Sequence, residues 1–221
     1  MKRLLCLTLL LFIVSAGKSQ YRHSGHDYSV SVTTGAILNW GGHYNIDYKP
    51  VPMDQKKLWR FSPEVSFSIH TQDDAIYSIG LRYFSRTIQY EPYFYLNQTI
   101  RICHETINLP LTMALPITDK YSKLGHYALI GLSPGFLISS KNQLRLNDEI
   151  VEEGEHLIFE PKDKIIVDFL LGYQAIYELN DTFKISPKIQ FGTSTGQVVH
   201  FSNRTVTYRY FSFDLSLSYS L

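Results

Sequence analysis

Arg209-Tyr-Phe-Ser-Phe-Asp-Leu-Ser-Leu-Ser-Tyr-Ser-Leu221 closes the chain. Phe211, Phe213, Leu215, Leu217, Tyr219 and Leu221 alternate with Ser212, Asp214, Ser216, Ser218 and Ser220. A β-strand turns successive side chains to opposite faces, so this segment has one wholly apolar face and one wholly polar face.

The same period of two recurs along the chain. Tyr28, Val30, Val32, Ala36 and Leu38 alternate with Ser29, Ser31, Thr33 and Gly35, and Trp59, Phe61, Val65, Phe67 and Ile69 with Arg60, Ser62, Glu64, Ser66 and Ser68. Tyr77 to Tyr83 set apolar residues against Ser78, Gly80 and Arg82; Ile107 to Met113, Ala128 to Ile138, Val167 to Tyr177 and Phe183 to Phe191 repeat the pattern. With the terminal strand these make eight. Pro110 and Pro187 each remove a ladder donor, so bulges are expected there.

Met1 to Ser19 reads as an export signal: Lys2 and Arg3, an apolar run Leu4 to Val14, then Gly17 and Ser19 at the −3 and −1 positions of a cleavage site. That leaves residues 20–221 as one mature domain. The run is shorter than the ~20 residues a membrane helix needs. Cys103 is then the only mature cysteine, so no disulfide framework holds the domain. A net charge of +1 gives no electrostatic case for nucleic acid.

Which face points inward decides between a membrane barrel and a secreted soluble protein, either a β-sandwich or a lipocalin-like binder. The polar face carries Gly35, Gly80, Gly131, Gly135, Gly172 and Gly192 with many serines, which suits a narrow barrel interior. It also carries both charge signs, Arg60, Arg82, Arg86, Lys184 and Lys188 against Glu64, Asp168 and Asp214. Tyr28, Trp59, Tyr83, Tyr177 and Tyr219 fall near strand ends, as in interfacial girdles. Connections alternate between long (Asn39–Lys57, Ser139–Lys164) and short (His70–Asp74, Leu179–Asp181), as extracellular loops and periplasmic turns do. The expected fold is an eight-stranded antiparallel transmembrane up-and-down β-barrel in the bacterial outer membrane.

The runs Glu105 to Met113, Tyr127 to Leu137 and Asp168 to Tyr173, with the ending Phe213-Asp-Leu-Ser-Leu-Ser-Tyr219, resemble the PorT-like outer-membrane β-barrel proteins of Bacteroidetes. The resemblance spans most of the mature chain and implies an eight-stranded barrel. The family's named member takes part in protein secretion, a role these short motifs do not carry over.

Chemistry-bearing residues are sparse. His200-Phe-Ser202-Asn203 followed by Asp214 is similar to the His-x-Ser-Asn of outer-membrane lipid A deacylases, with His200 as base, Ser202 as nucleophile and Asp214 as orienter. The Pro-Asn-x-Gly stretch that should follow is absent, and a motif without its context is a weak match. His23 and His26 are too few and too local for a metal site. Asp148, Glu149, Glu152, Glu153 and Glu155 read as a solvated loop. Cys103 falls on the apolar side and is expected to be inert.

The expectation is therefore a monomeric barrel with a structural or interaction role, no enzymatic activity, no cofactor and no metal. Its partners would be membrane lipid and lipopolysaccharide, with an envelope protein contacting the loops at 39–57 and 139–164. Such loops exceed the usual two to six residues, and length beyond what folding needs points to contact. The mixture of Leu144, Leu146, Ile150, Val151, Leu157, Ile158 and Phe159 with acids predicts that the longer loop forms a hairpin extending the neighbouring strands or docks on a partner.

Overall fold

A computed structural model describes residues 27–221, apart from 41–44, 47–48, 51–53, 57, 92–97, 118–122, 148, 155–159, 162–163, 195–198, 202–203 and 207. The proposed export signal, His23 and His26 lie outside the described residues.

Eight staves form one closed ring. They are β1 (Asp27–Trp40), β2 in two pieces (Leu58–Phe61 and Glu64–His70), β3 (Ile76–Glu91), β4 in two pieces (Gln98–Asn108 and Leu111–Pro116), β5 (Leu124–Leu146), β6 (Ile165–Glu178), β7 (Phe183–Ser194) and β8 (Arg209–Ser220). Each pairs antiparallel with the next. The ring closes where β8 meets β1, with Ser31 opposite Ser218 and Val32 opposite Leu217. Closure satisfies the backbone donors and acceptors that an open sheet edge would strand in lipid.

Side-chain sorting follows from the period of two. Leu215, Leu171, Ile79 and Leu132 are 47%, 45%, 51% and 48% exposed on the outer wall. Ser31, Thr33, Glu64, Arg82, Asp168 and Asp214 are buried inside. A soluble sandwich or lipocalin-like protein buries its apolar faces, and this molecule does the reverse. The secreted soluble alternative is thus overturned, because water would be the wrong solvent for such an exterior and lipid the right one.

Asp27 and Leu221 lie at one rim, with the connections 71–75, 117–123 and 179–182. At the other rim the strands are joined through 92–97 and through the three longest connections, 41–57, 147–164 and 195–208. That asymmetry is the one between periplasmic turns and extracellular loops.

Four local features depart from the sequence reading. First, the expected loop from Ser139 begins as strand: β5 runs on to Leu146 and then folds back through Glu149–Gly154, which pairs with Asn142–Leu146 around Asn147 at φ 52°. The hairpin was one of the two expected outcomes. Second, the connection after β7 also carries short strands, Val199–Phe201 and Arg204–Val206, and the first of these pairs with Glu160–Pro161 from the loop before β6.

Third, the two prolines behave differently. At Leu109–Pro110 the stave β4 is interrupted, with Gly80 donating to the Pro110 carbonyl at 2.9 Å. Pro187 causes no register shift, contrary to expectation: Gln174 faces Lys188 and Tyr177 faces Ile185 on the same diagonal. The Ser186 hydroxyl donates to the Ala175 carbonyl at 2.9 Å, supplying the hydrogen bond that proline cannot.

Fourth, β2 and β3 pair normally from His70–Ile76 up to Glu64–Arg82, then part around Ser62 and Pro63. Leu58–Phe61 stays paired to β1, while β3 regains a partner only at Asp54–Lys56. Side chains cross the interval instead. The Ser62 hydroxyl donates to the Tyr83 carbonyl at 2.9 Å, Asn39 Nδ2 to the Ser85 carbonyl at 3.5 Å, and Arg60 Nε to the Thr87 hydroxyl at 3.0 Å.

Candidate functional site

The charged residues of the polar face converge in the barrel interior, because alternate positions of β2, β3, β6, β7 and β8 all point to one narrow axis. Arg82 is the hub of a lower cluster. Its Nη2 meets Asp214 Oδ1 at 2.8 Å, Nη1 lies 3.7 Å from Glu64 and 3.2 Å from Gln190 Oε1, and Nε donates to the Ser62 hydroxyl at 2.7 Å. Lys188 approaches the other oxygen of Glu64 at 3.7 Å.

Arg86, one inward step further along β3, makes a bidentate pair with Asp168: Nη1 to Oδ1 at 2.9 Å and Nη2 to Oδ2 at 2.5 Å. Both side chains are 0% exposed. Ser194 and Asn108 also donate to the Asp168 carboxylate, at 3.0 and 3.4 Å. Phe84 sits between the two guanidinium groups, 4.6 Å from that of Arg86 and 5.6 Å from that of Arg82, and packs edge-on against Tyr210. Beyond them, Tyr208 and His104 share a hydrogen bond at 2.9 Å, with the Arg86 guanidinium 5.5 Å from the Tyr208 ring. These side chains fill the bore, each cation answered by an anion or a ring face.

The expected interior pairs are thus present, with refinements. Arg60 reaches Thr87, and Lys184 pairs with Glu178 at 3.2 Å near the turn rim. Sequence reasoning places Gln190 on the polar face, where it is found buried, but missed Phe84, His104, Tyr208 and Tyr210. Extending the phase of β8 backward from Asp214 and Ser212 would have placed Tyr210 and Tyr208 inside, and the phase of β3 would have placed Phe84.

Two glycines make room for this packing. A Cβ on Gly35 would overlap the Asp214 carboxylate, and one on Gly192 would overlap the Tyr210 ring. Gly192→Ala should therefore displace Tyr210 from Phe84 and destabilise the barrel by about 1–3 kcal/mol, the usual cost of overpacking. Urea unfolding in lipid vesicles measures it, and an unchanged midpoint would show that the ring moves aside freely.

The hydrolase residues are not assembled by what is described. Asp214 lies in the interior, held by Arg82 and by the Ser212 hydroxyl at 3.0 Å, so it is not on the outer surface where the triad needs its acid. Ser202 and the His200 side chain lie outside the described residues. Cys103 is half-buried and accepts from the Thr87 hydroxyl at 3.6 Å. Among the described residues, no three His, Cys, Asp or Glu side chains converge as metal ligands.

An outward apolar belt around a charged, filled interior defines an eight-stranded outer-membrane β-barrel protein, resident in the bacterial outer membrane. Solved structures of the same kind bear this out at the level of fold. The chain is similar to the outer-membrane protein OprG from Pseudomonas aeruginosa, with a TM-score of 0.53 and 10% identity over 90% of this chain and 97% of that one. It is also similar to outer-membrane protein AlkL in lipid bilayers, with a TM-score of 0.53 and 13% identity over 92% and 93%. No family model matches the chain, and no curated protein does.

Proposed function

We propose that the barrel is a non-enzymatic platform whose extracellular loops engage a protein of the cell envelope. The observation that carries this reading is the contrast between the two ends of the molecule. The bore is filled by paired charges and rings, whereas the long-loop rim projects a hairpin with Leu146, Ile150 and Val151 at 42%, 48% and 61% exposure. These residues lie past the belt, where lipid gives no reason for apolar exposure, and apolar surface left in water marks a contact site. The pairing of Glu160 with His200 along the backbone ties two of the loops together, which favours a defined surface over a set of independent tails.

In this reading residues 1–19 direct export and are removed. The chain is a PorT-like barrel on the strength of the motifs at 105–113, 127–137 and 168–173 and of its ending, and it acts as a monomer. Replacing residues 147–161 by a Gly/Ser linker of equal length should leave the barrel folded and heat-modifiable on gels while abolishing complementation of a gene deletion. Full complementation by that variant would move the function to the barrel wall or the periplasmic rim.

A further inference from the structure

The outer wall is hollowed between two rows of apolar side chains. Phe67, Ile79, Leu111, Leu132 and Phe169 are successive cross-strand partners on β2 to β6 and form the first outward row. Two residues along the staves, Ile69, Tyr77, Met113 and Ile130 form the second. Ser78, Thr112 and Gly131 are cross-strand partners between them and belong to the inward face. The two rows flank a groove of about 610 Å³ whose floor is that intervening set. Its volume is that of a ligand site.

The floor is low and apolar. A Cβ on Gly131 would come within 2.5 Å of the Leu111 carbonyl oxygen, so the staves meet there as bare backbone. Ser78 turns its hydroxyl into the bore, where it lies 2.8 Å from that of Ser68. At the β2 end Phe67 is held by stacking on Tyr28, with ring centroids 5.9 Å apart. The groove thus offers hydrocarbon on both flanks and a floor whose backbone groups are already paired in the ladder.

Dimensions select the occupant. Rows two residues apart on a strand are separated by ~6.6 Å, whereas an α-helix with its side chains is ~10–12 Å across. A single extended chain fits and a helix does not. A β-strand laid in the groove would bring peptide groups that nothing there can bond, and a hydrocarbon chain brings none. From β2 to β6 the groove crosses four inter-strand gaps of ~4.8 Å, ~19 Å in all, which matches the ~15 Å of hydrocarbon in one leaflet crossed at a slant. Its low end lies at Ile69 and Tyr77, which flank the connection 71–75, and its high end at Phe169, well up β6 from Glu178. We infer that this groove is a binding site for one acyl chain of a phospholipid in the periplasmic leaflet, entering beside Tyr77 and rising toward Phe169. The leaflet follows from the orientation assigned above, and the acyl-chain site does not depend on it.

The test uses the folded barrel in detergent micelles and phosphatidylethanolamine carrying a photoactivatable diazirine in its acyl chain. Crosslinks should favour β3, β4 and β5 over β7 and β8 by about tenfold, and native mass spectrometry should show one lipid retained. Leu111→Trp with Leu132→Trp, both at exposed positions, should narrow the groove and weaken retention about tenfold. Leu215→Trp, on the opposite wall, should leave it unchanged. Labelling spread evenly around the wall overturns the inference, as does equal retention by the groove variant or an equal loss in Leu215→Trp. A dimer in place of the lipid complex, dispersed by the groove variant, overturns the choice of occupant. If the double variant folds poorly, Ile79→Trp alone, at a position 51% exposed, repeats the comparison. The crosslinking pattern needs no variant at all.

Discussion

Asp168→Ala should cost the barrel about 3–5 kcal/mol, the range for removing one member of a buried ion pair and stranding the other. Arg86 is 0% exposed and directs both terminal nitrogens at Asp168, and among the described residues no second carboxylate contacts it. Arg82 is placed differently: Asp214 and Glu64 both lie within reach of its guanidinium, so Glu64→Gln should cost much less than Asp168→Ala. Replacing the pair together, Arg86→Met with Asp168→Leu, should restore much of the loss, because no uncompensated charge remains. Equilibrium unfolding in urea from phospholipid vesicles reads all three. If Asp168→Ala and Glu64→Gln fell together near zero, the interior would be hydrated enough to screen its charges.

The second large effect is set by solvent. Leu171→Arg, or Leu215→Arg, should destabilise the inserted barrel by about 2–4 kcal/mol near the membrane midplane and lower the folded fraction on assembly. Val151→Arg is the control. Val151 is more exposed than either leucine, at 61% against 45% and 47%, yet it sits on the extracellular hairpin and should accept arginine without loss. In a water-soluble protein all three would be tolerated alike. Normal insertion of both leucine variants would count against the membrane reading of the wall.

Much of this architecture was legible because one physical rule, alternation of faces, acts on every stave. Leu171 faces lipid and Asp168 faces the bore for the same reason, and neither depends on distant sequence. The rule fails where the outer solvent changes. Above Ile138 the outward residues Lys141, Gln143 and Arg145 are as polar as the inward Ser140 and Asn142, so the continuation of β5 to Leu146 left no apolar signature and read as loop. Partner choice in the bore was only half readable. Charges of both signs on the polar face predicted pairing, but the division into an Arg82 cluster and an Arg86 cluster depends on the stagger between strands far apart in the chain. Pro187 misled for a local reason, since the hydroxyl of Ser186 repairs the missing bond without shifting the register.

Where β2 parts from β3, closure of the wall passes from the main chain to Ser62, Asn39 and Arg60. A ladder of peptide groups is indifferent to which side chains hang from it, so elsewhere the seam between two staves is not fastened by any one side chain. Here the fastening is encoded residue by residue. A single base change in the codon for Asn39 or Arg60 removes one of these fastenings, which makes this stretch of wall the part most open to adjustment by evolution and to editing at the bench.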